Sequence, residues 1–373
     1  MSTFAVKIYP LTISAHPNAD LLELAQVGDY LSVVAKGQFK TGDLGAYIPE
    51  GAIVPQAVLV KLNLVDKLAG TEKNRVKAVK LRGILSQGIV YPVQQKENEY
   101  WLEVPAQDGD KSFFISLMVS IGKDVTEDLK IVKYEATIPT ELSGQVYNVG
   151  TDKCLMLDIE NIKAFPNIFV EGEPVVFTEK LHGTFAQFGY ISTEDLVVSS
   201  KGLGAKGLAF QWSQENVGNL YLKTAKAYHI KSSIEATFGT TAPVFVLGEI
   251  FGKGIQDLGY GENTNKKPIG FRVFDVYVGT PDSGRYLNDA ELDIACADMN
   301  LSRVPVLYRG AYSKTEVLSY NSGKETVSGQ AMHIREGIVV RPIQERQHPE
   351  LGRCILKSVS EEYLLRKGGT EFN

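Results

Sequence analysis

From residue 1 to about 95 the apolar positions come in short bursts broken by turn residues. Tyr30-Leu31-Ser32-Val33-Val34, Gly45-Ala46-Tyr47-Ile48 and Gly88-Ile89-Val90-Tyr91 read as strands, with turn signals at Gly37, Thr41-Gly42-Asp43 and Glu50-Gly51. Short strands at such close spacing predict a small β-barrel over residues 1–95. The pattern is mixed over 96–170, including Lys123-Asp124-Val125-Thr126-Glu127-Asp128 and Pro139-Thr140-Glu141-Leu142-Ser143-Gly144, and reads as a linker and lead-in. Beyond it, apolar residues fall near 3.6 spacing from Asn219 to Glu235, predicting a helix, and Asn288-Asp289-Ala290-Glu291 opens a second helix with capping residues. Between the two lie apolar β segments, Val244–Ile250 and Phe271–Val278. Residues 171–373 are therefore expected to form an α+β domain, with helices packed on mostly antiparallel strands. No internal repeat or low-complexity tract interrupts the chain.

Composition narrows the class. The chain has 373 residues, 44% of them hydrophobic and 22% charged, which suits two globular domains. No apolar run approaches the ~18 residues a membrane span needs, and the first ten residues lack the basic-then-apolar pattern of a signal peptide. Three scattered cysteines, Cys154, Cys296 and Cys354, are too few for a disulfide framework or a zinc site, so a reducing, cytoplasmic setting is expected. The net charge of −5 argues against a protein whose main task is coating nucleic acid, while leaving room for a local basic groove.

The chemistry centres on Phe177-Thr178-Glu179-Lys180-Leu181-His182-Gly183-Thr184. A lysine at the end of an apolar strand can attack an α-phosphate and hold the nucleotide as a phosphoramidate, and Gly183 would let backbone approach sugar and phosphate. Four further segments follow in order: Val197-Val198-Ser199-Ser200-Lys201-Gly202, Leu247-Gly248-Glu249-Ile250-Phe251-Gly252, Arg335-Glu336-Gly337-Ile338-Val339-Val340-Arg341 and Arg353-Cys354-Ile355-Leu356-Lys357-Ser358. Glu249 can accept hydrogen bonds from ribose hydroxyls. Glu336 can hold Mg²⁺, a hard cation that takes one or two carboxylates plus phosphate oxygens and water. Lys357 can neutralise charge building on a five-coordinate phosphorus. The neighbouring cations would favour the neutral amine of Lys180 that attack requires. Phe274 can stack on a base, and glycine beside each acid (Gly248, Gly337) favours close ligand approach.

This ordered set resembles the covalent nucleotidyltransferase superfamily of ligases and capping enzymes. Glu179-Lys180-Leu181-His182-Gly183-Thr184, with His where DNA ligases and capping enzymes mostly carry Asp, looks like the RNA ligase 2 branch. His16-Pro17-Asn18-Ala19-Asp20 and Leu81-Arg82-Gly83 resemble pieces of the OB-type tRNA-binding domain. An OB-like domain ahead of the catalytic one is similar to the Deinococcus-type RNA ligases, a likeness that runs from about residue 5 to residue 366. The resemblance implies an α+β protein with an N-terminal OB-like barrel and an antiparallel-sheet-plus-helix, ATP-grasp-like ligase domain. It implies ATP and Mg²⁺ or Mn²⁺ as cofactors. RNA would be the partner, with an RNA/DNA nicked duplex left open; no membrane or protein partner is implied. Lys180 would be adenylylated, Glu179 and Phe274 would border the adenine, and Glu249 would bind the ribose. Lys201 would lie near the nucleotide or the 5′-phosphate, Glu336 would bind the metal, and Lys357 would contact the α-phosphate. Arg82 in the first domain is a candidate RNA contact, with Lys36 and Lys40.

Two positions depart from the family pattern. Lys201 offers a point charge where arginine is usual, and Ile355 stands where a second lysine often precedes Lys357, leaving Arg353 as a candidate substitute. Two other readings stay open: a DNA ligase or capping guanylyltransferase, and an RNA-binding protein with an inactive nucleotidyltransferase fold. Only about sixteen residues follow Lys357, so the carboxy-terminal OB domain usual in DNA ligases and capping enzymes is not expected.

Overall fold

Strands dominate where β-branched and aromatic residues cluster, and the chain divides into two compact units, Met1–Glu135 and Ala136–Asn373. The computed structural model describes all residues except 1–3, 109–110, 135–143, 193, 195, 253, 262–268 and 367–373.

In the first unit, Lys7–Pro10, Leu44–Ile48 and Ile89–Pro92 form an antiparallel sheet whose middle strand is buried along its whole length. A meander of Thr12–Ala15, Leu22–Val27 and Tyr30–Ala35 and a hairpin of Val79–Leu81 with Ile84–Ser86 complete the small barrel. Two clusters fill its interior, one around Ile8, Ala46, Ile48, Val58 and Tyr91, the other around Leu11, Val27, Tyr47 and Val90. The expected linker is divided between the units. Glu99–Asp108 and Lys111–Val119 pair as a long hairpin that contributes Leu102, Val104 and Val119 to the first core, while Glu160–Asn161 enters a sheet of the second unit. Of the Pro139–Gly144 segment, residues 139–143 lie outside the described residues.

The second unit holds two five-stranded sheets. One runs in the order Glu160–Asn161, Leu356–Val359, Gly337–Pro342, Pro174–Lys180, Val306–Ala311, antiparallel except at its first pair. The other runs Val197–Ser200, Thr184–Tyr190, Val244–Phe251, Gly270–Val278, Arg285–Tyr286, antiparallel throughout. Leu181, His182 and Gly183 carry the chain from the first of these sheets into the second. The helix expected over 219–235 is two helices, Leu220–Ala227 and Ile230–Phe238. The break falls at His229, in the left-handed region at φ 51°, beside Tyr228, whose hydroxyl donates to the Ile269 carbonyl and accepts the Phe271 N–H. Asp289–Asp298 starts as expected, with Asn288 and Glu291 in a reciprocal capping box. These helices pack their apolar sides on the second sheet around Phe188, Val246, Phe271 and Leu292. The three cysteines are buried free thiols. No helix among the described residues is long and apolar enough to cross a membrane.

Candidate active site

A cavity of about 330 Å³ opens in the second unit, where the link between the sheets leaves the Lys180 strand. Glu179, Lys180, Gly183, Lys201, Glu249, Phe274, Glu336 and Lys357 all line it. Strand register accounts for this convergence. Lys180 pairs with Gly337, bringing Glu336 beside the amine, and Lys357 pairs with Val339 one strand further on. Lys357 and Val359 alternate onto the cavity face of that strand, and Ile355, just before it, also lines the cavity.

Lys180 Nζ stands 2.5 Å from Glu336 Oε1. The expectation from neighbouring cations is thus incomplete, because a carboxylate holds the amine in an ion pair. Glu249, on Val244–Phe251 of the second sheet, is half-buried. Burial is the main cause that pushes its carboxyl up to about 8; Lys180 opposes the rise and Glu336 adds to it. Burial, then repulsion from Lys180 and Lys201, brings the half-buried Lys357 ammonium down to about 8. Lys201, at the end of Val197–Ser200, pairs with Asp158 at 2.9 Å.

Phe274 owes its placement to a bulge. Leu247 pairs with Asp275 and Gly248 with Val273, so Phe274 is the extra residue with no partner across the ladder, a device that re-aims side chains beside active sites. Its ring lies 5.8 Å from that of Phe185.

The glycines serve neighbouring strands. A Cβ at Gly183 would sit 2.2 Å from the Ile250 carbonyl oxygen, one at Gly337 2.0 Å from that of Ser358, and one at Gly248 2.3 Å from the Phe271 ring. Their absence of a side chain lets strands close up and so sets Lys180, Glu336 and Glu249 at their distances. Neighbouring protein atoms alone already exclude a side chain at these three positions.

Arg353 is not in the cavity wall, which corrects its candidacy as a phosphate-binding substitute. Chain pairing turns Gly352–Arg353 toward Gln347–His348, and the strand that carries Lys357 begins only at Leu356. The Arg353 guanidinium grips Asp275 at 2.8 and 2.9 Å and Glu345 at 2.7 and 2.8 Å, and covers the Tyr286 ring at 3.5 Å. Ile355 keeps the cavity position and supplies no charge there.

A family model described as RNA ligase matches residues 173–359, half of the chain and the whole lysine-to-lysine constellation. The chain belongs to the RNA ligase family. An OB-fold domain model matches residues 7–93 of this RNA ligase family member. Its fold is that of the Naegleria gruberi RNA ligase. The structure of that enzyme with pyrophosphate superposes with a TM-score of 0.74, covering 97% of this chain and 98% of the other at 22% identity. A mutant of the same enzyme with AMP and Mn, and another with ATP and Mn, each give 0.73, covering 96% and 98% at 22% identity. Among curated proteins, none matches.

Several residues of this family member's site escaped sequence reasoning. His182 Nε2 bonds Asp257 Oδ1 at 2.7 Å, its Nδ1 meets the Tyr363 hydroxyl at 2.7 Å, and its backbone N–H donates to Tyr260 Oη. Burial holds the ring below its ordinary value, so the neutral tautomer with the proton on Nε2 satisfies both partners. Arg366 closes the group, bonding Asp257 at 3.0 Å and covering the Tyr363 ring at 3.6 Å. Only the Ser360-Glu361-Glu362 start of the short helix Glu361–Leu364 signals this segment in the sequence.

Arg82 belongs to the first unit. It occupies the hairpin turn between Leu81 and Ile84, where Arg82 and Gly83 take φ of 47° and 92°, the pattern of a type I′ turn. The motif His16-Pro17-Asn18 braces that turn: His16 Nε2 meets the Leu81 carbonyl at 3.2 Å and Asn18 Nδ2 donates to that of Arg82 at 2.9 Å. The Arg82 side chain is exposed.

Proposed function

We propose that this chain is an ATP-dependent RNA ligase of the Deinococcus-type arrangement, sealing 3′-hydroxyl and 5′-phosphate ends, nicks in duplexes among them. The observation that carries the reading is the gathering of Lys180, Glu249, Glu336 and Lys357 around one cavity with Glu179 and Phe274.

Lys180 Nζ, released from Glu336 and deprotonated, attacks the α-phosphorus of ATP. The N–P bond forms, the bond to the bridging oxygen breaks, and pyrophosphate leaves with the electron pair. Lys357, whose side chain makes no ion pair within 4 Å among the described residues, offers its charge to the crowded phosphorus. Glu249 takes the ribose hydroxyls, Phe274 stacks on the base and Glu179 borders it. AMP then passes from Lys180 to an RNA 5′-phosphate, with Lys201 beside the incoming strand. Finally the 3′-hydroxyl attacks that phosphate and AMP leaves.

The donor set fits a hard cation. Glu336 is a buried carboxylate on the cavity wall, and a hard cation takes one or two carboxylates with phosphate oxygens and water. Bound Mg²⁺ or Mn²⁺ would neutralise phosphate charge. The Naegleria gruberi structures with ATP and Mn support the choice of nucleotide and metal. Arg82 is proposed as an RNA contact of the OB-fold unit.

The test is incubation with α-labelled ATP or GTP and Mg²⁺ or Mn²⁺, read on a denaturing gel. Label from ATP on the wild type and none on Lys180→Ala is expected. Label from GTP alone, or label surviving Lys180→Ala, would overturn the reading.

A further inference from the structure

Leu181, His182 and Gly183 join two sheets and belong to neither ladder, so other contacts must hold the turn that follows Lys180. Three come from one loop. Tyr260 Oη accepts the His182 N–H at 2.7 Å, Asp257 Oδ1 lies 2.7 Å from His182 Nε2, and Gln256 Nε2 donates to the Gly183 carbonyl. The fourth comes from near the end of the chain. The Tyr363 hydroxyl lies 2.7 Å from His182 Nδ1, with the two rings edge to face at 5.3 Å. A carboxylate only accepts, so Nε2 carries the ring proton toward Asp257 and Nδ1 accepts the Tyr363 O–H.

Tyr363 is itself fixed from two sides. Ser360, which caps its short helix, accepts the Tyr363 N–H at 3.2 Å; it donates its hydroxyl to the Arg335 carbonyl at 2.9 Å and its N–H to that of Glu336 at 2.8 Å. Arg366 covers the Tyr363 ring at 3.6 Å and bonds Asp257 at 3.0 Å. Residues 360–366 thus tie together three parts far apart in sequence: the strand end beside Glu336, the loop with Asp257, and the turn behind Lys180. Tyr363 is 3% exposed and His182 2%, so loss of the hydroxyl would leave Nδ1 unpaired in the interior.

We propose that Tyr363 is a positioning residue for the nucleophile: by fixing the His182 ring it sets where the turn, and with it the Lys180 backbone, stands against the α-phosphorus. This inference rests on the ligase reading, and it adds a brace, residues 360–366, that lies outside the five motif segments. The brace acts through Lys180. Steps in which Lys180 gains or loses a bond to phosphorus depend on its placement, whereas joining of RNA whose 5′ end is already adenylylated does not use the lysine as nucleophile.

The test compares wild type with Tyr363→Phe, which keeps the ring and removes the hydroxyl, in two reactions of the full chain. One is lysyl-adenylate formation over a range of ATP concentrations; the other is joining of RNA supplied with a 5′-adenylyl end. The limiting rate of adduct formation is expected to fall ~10-fold or more, since a small misplacement of a reacting group costs rate on that scale. The half-saturating ATP concentration and the joining of pre-adenylylated RNA stay as in the wild type. Arg366→Ala, which uncovers the Tyr363 ring and keeps its hydroxyl, lowers the same limiting rate to a smaller extent, and it decides the matter should Tyr363→Phe melt early. Equal adduct formation by the wild type and both variants overturns the inference. So does a loss shared by both reactions, the mark of general damage. A raised half-saturating ATP concentration at an unchanged limiting rate overturns it too, as the mark of a direct nucleotide contact. A wild type that forms no lysyl adduct overturns the ligase reading itself, and the inference with it.

Discussion

Replacing Arg353 by alanine should unfold the second unit early and leave its chemistry intact. The side chain is 9% exposed and makes four charged hydrogen bonds, two to Asp275 and two to Glu345. Asp275 is 1% exposed; burial alone would push its carboxyl up, but Arg353 and then Arg341 hold it below its usual value. Truncation strands a buried carboxylate with Arg341 as its remaining close cation, and breaking such a pair costs ~3–5 kcal/mol. At about 2–4 °C per kcal/mol for a unit of this size, the melting temperature should fall by ~6–20 °C. Arg353→Lys should recover little, since a point charge cannot make the forked contacts or cover Tyr286. The assay is a thermal melt followed, at a temperature where the variant is folded, by lysyl-adenylate formation and binding of 5′-phosphorylated RNA. A variant that melts like the wild type yet binds that RNA poorly would refute the argument and return Arg353 to the substrate.

Glu249 should make stability fall as pH rises. Its folded value of about 8 lies above the ordinary 4.5, so its contribution is complete below 4.5 and is lost as pH climbs through 8; melts of wild type and Glu249→Gln from pH 5 to 9 should diverge in slope, and parallel curves would count against the raised value. Glu336→Ala should lose metal-dependent end joining while melting within a few degrees of the wild type, because no core volume is removed; normal Mg²⁺-dependent rates would remove Glu336 from the metal site. A protein lacking residues 1–134 should still form the lysyl-adenylate but join RNA ends more slowly, and equal joining would mean the OB-fold unit is no RNA platform.

The parts legible in the sequence are those written in local pattern. Val244–Phe251 and Gly270–Val278 show as unbroken apolar β segments, and Asn288 with Glu291 marks a helix start. The order of Lys180, Glu249, Glu336 and Lys357 foretold one cavity because register then brings strand ends together. What local pattern cannot carry is a contact made from afar. Tyr228 breaks a helix by bonding backbone around residue 270, Asp257 and Tyr363 reach His182 from distant segments, and Thr326 meets Glu179 across 147 positions. Arg353 misled for a related reason. Its spacing from Lys357 assumes an extended strand, and the strand begins only at Leu356. The glycines stand out in the sequence, but only tertiary structure shows that Ile250, Ser358 and Phe271 press on them.

Phe274 has a consequence for redesign. An extra residue in a ladder contributes its ring to the cavity and no register pair to the sheet. Trimming Phe274 to leucine therefore widens the wall and loosens its packing against Phe185 without removing a register pair between Val244–Phe251 and Gly270–Val278. The bulge makes this stretch of the cavity wall open to tailoring, so a bulkier ligand has a place to be admitted there.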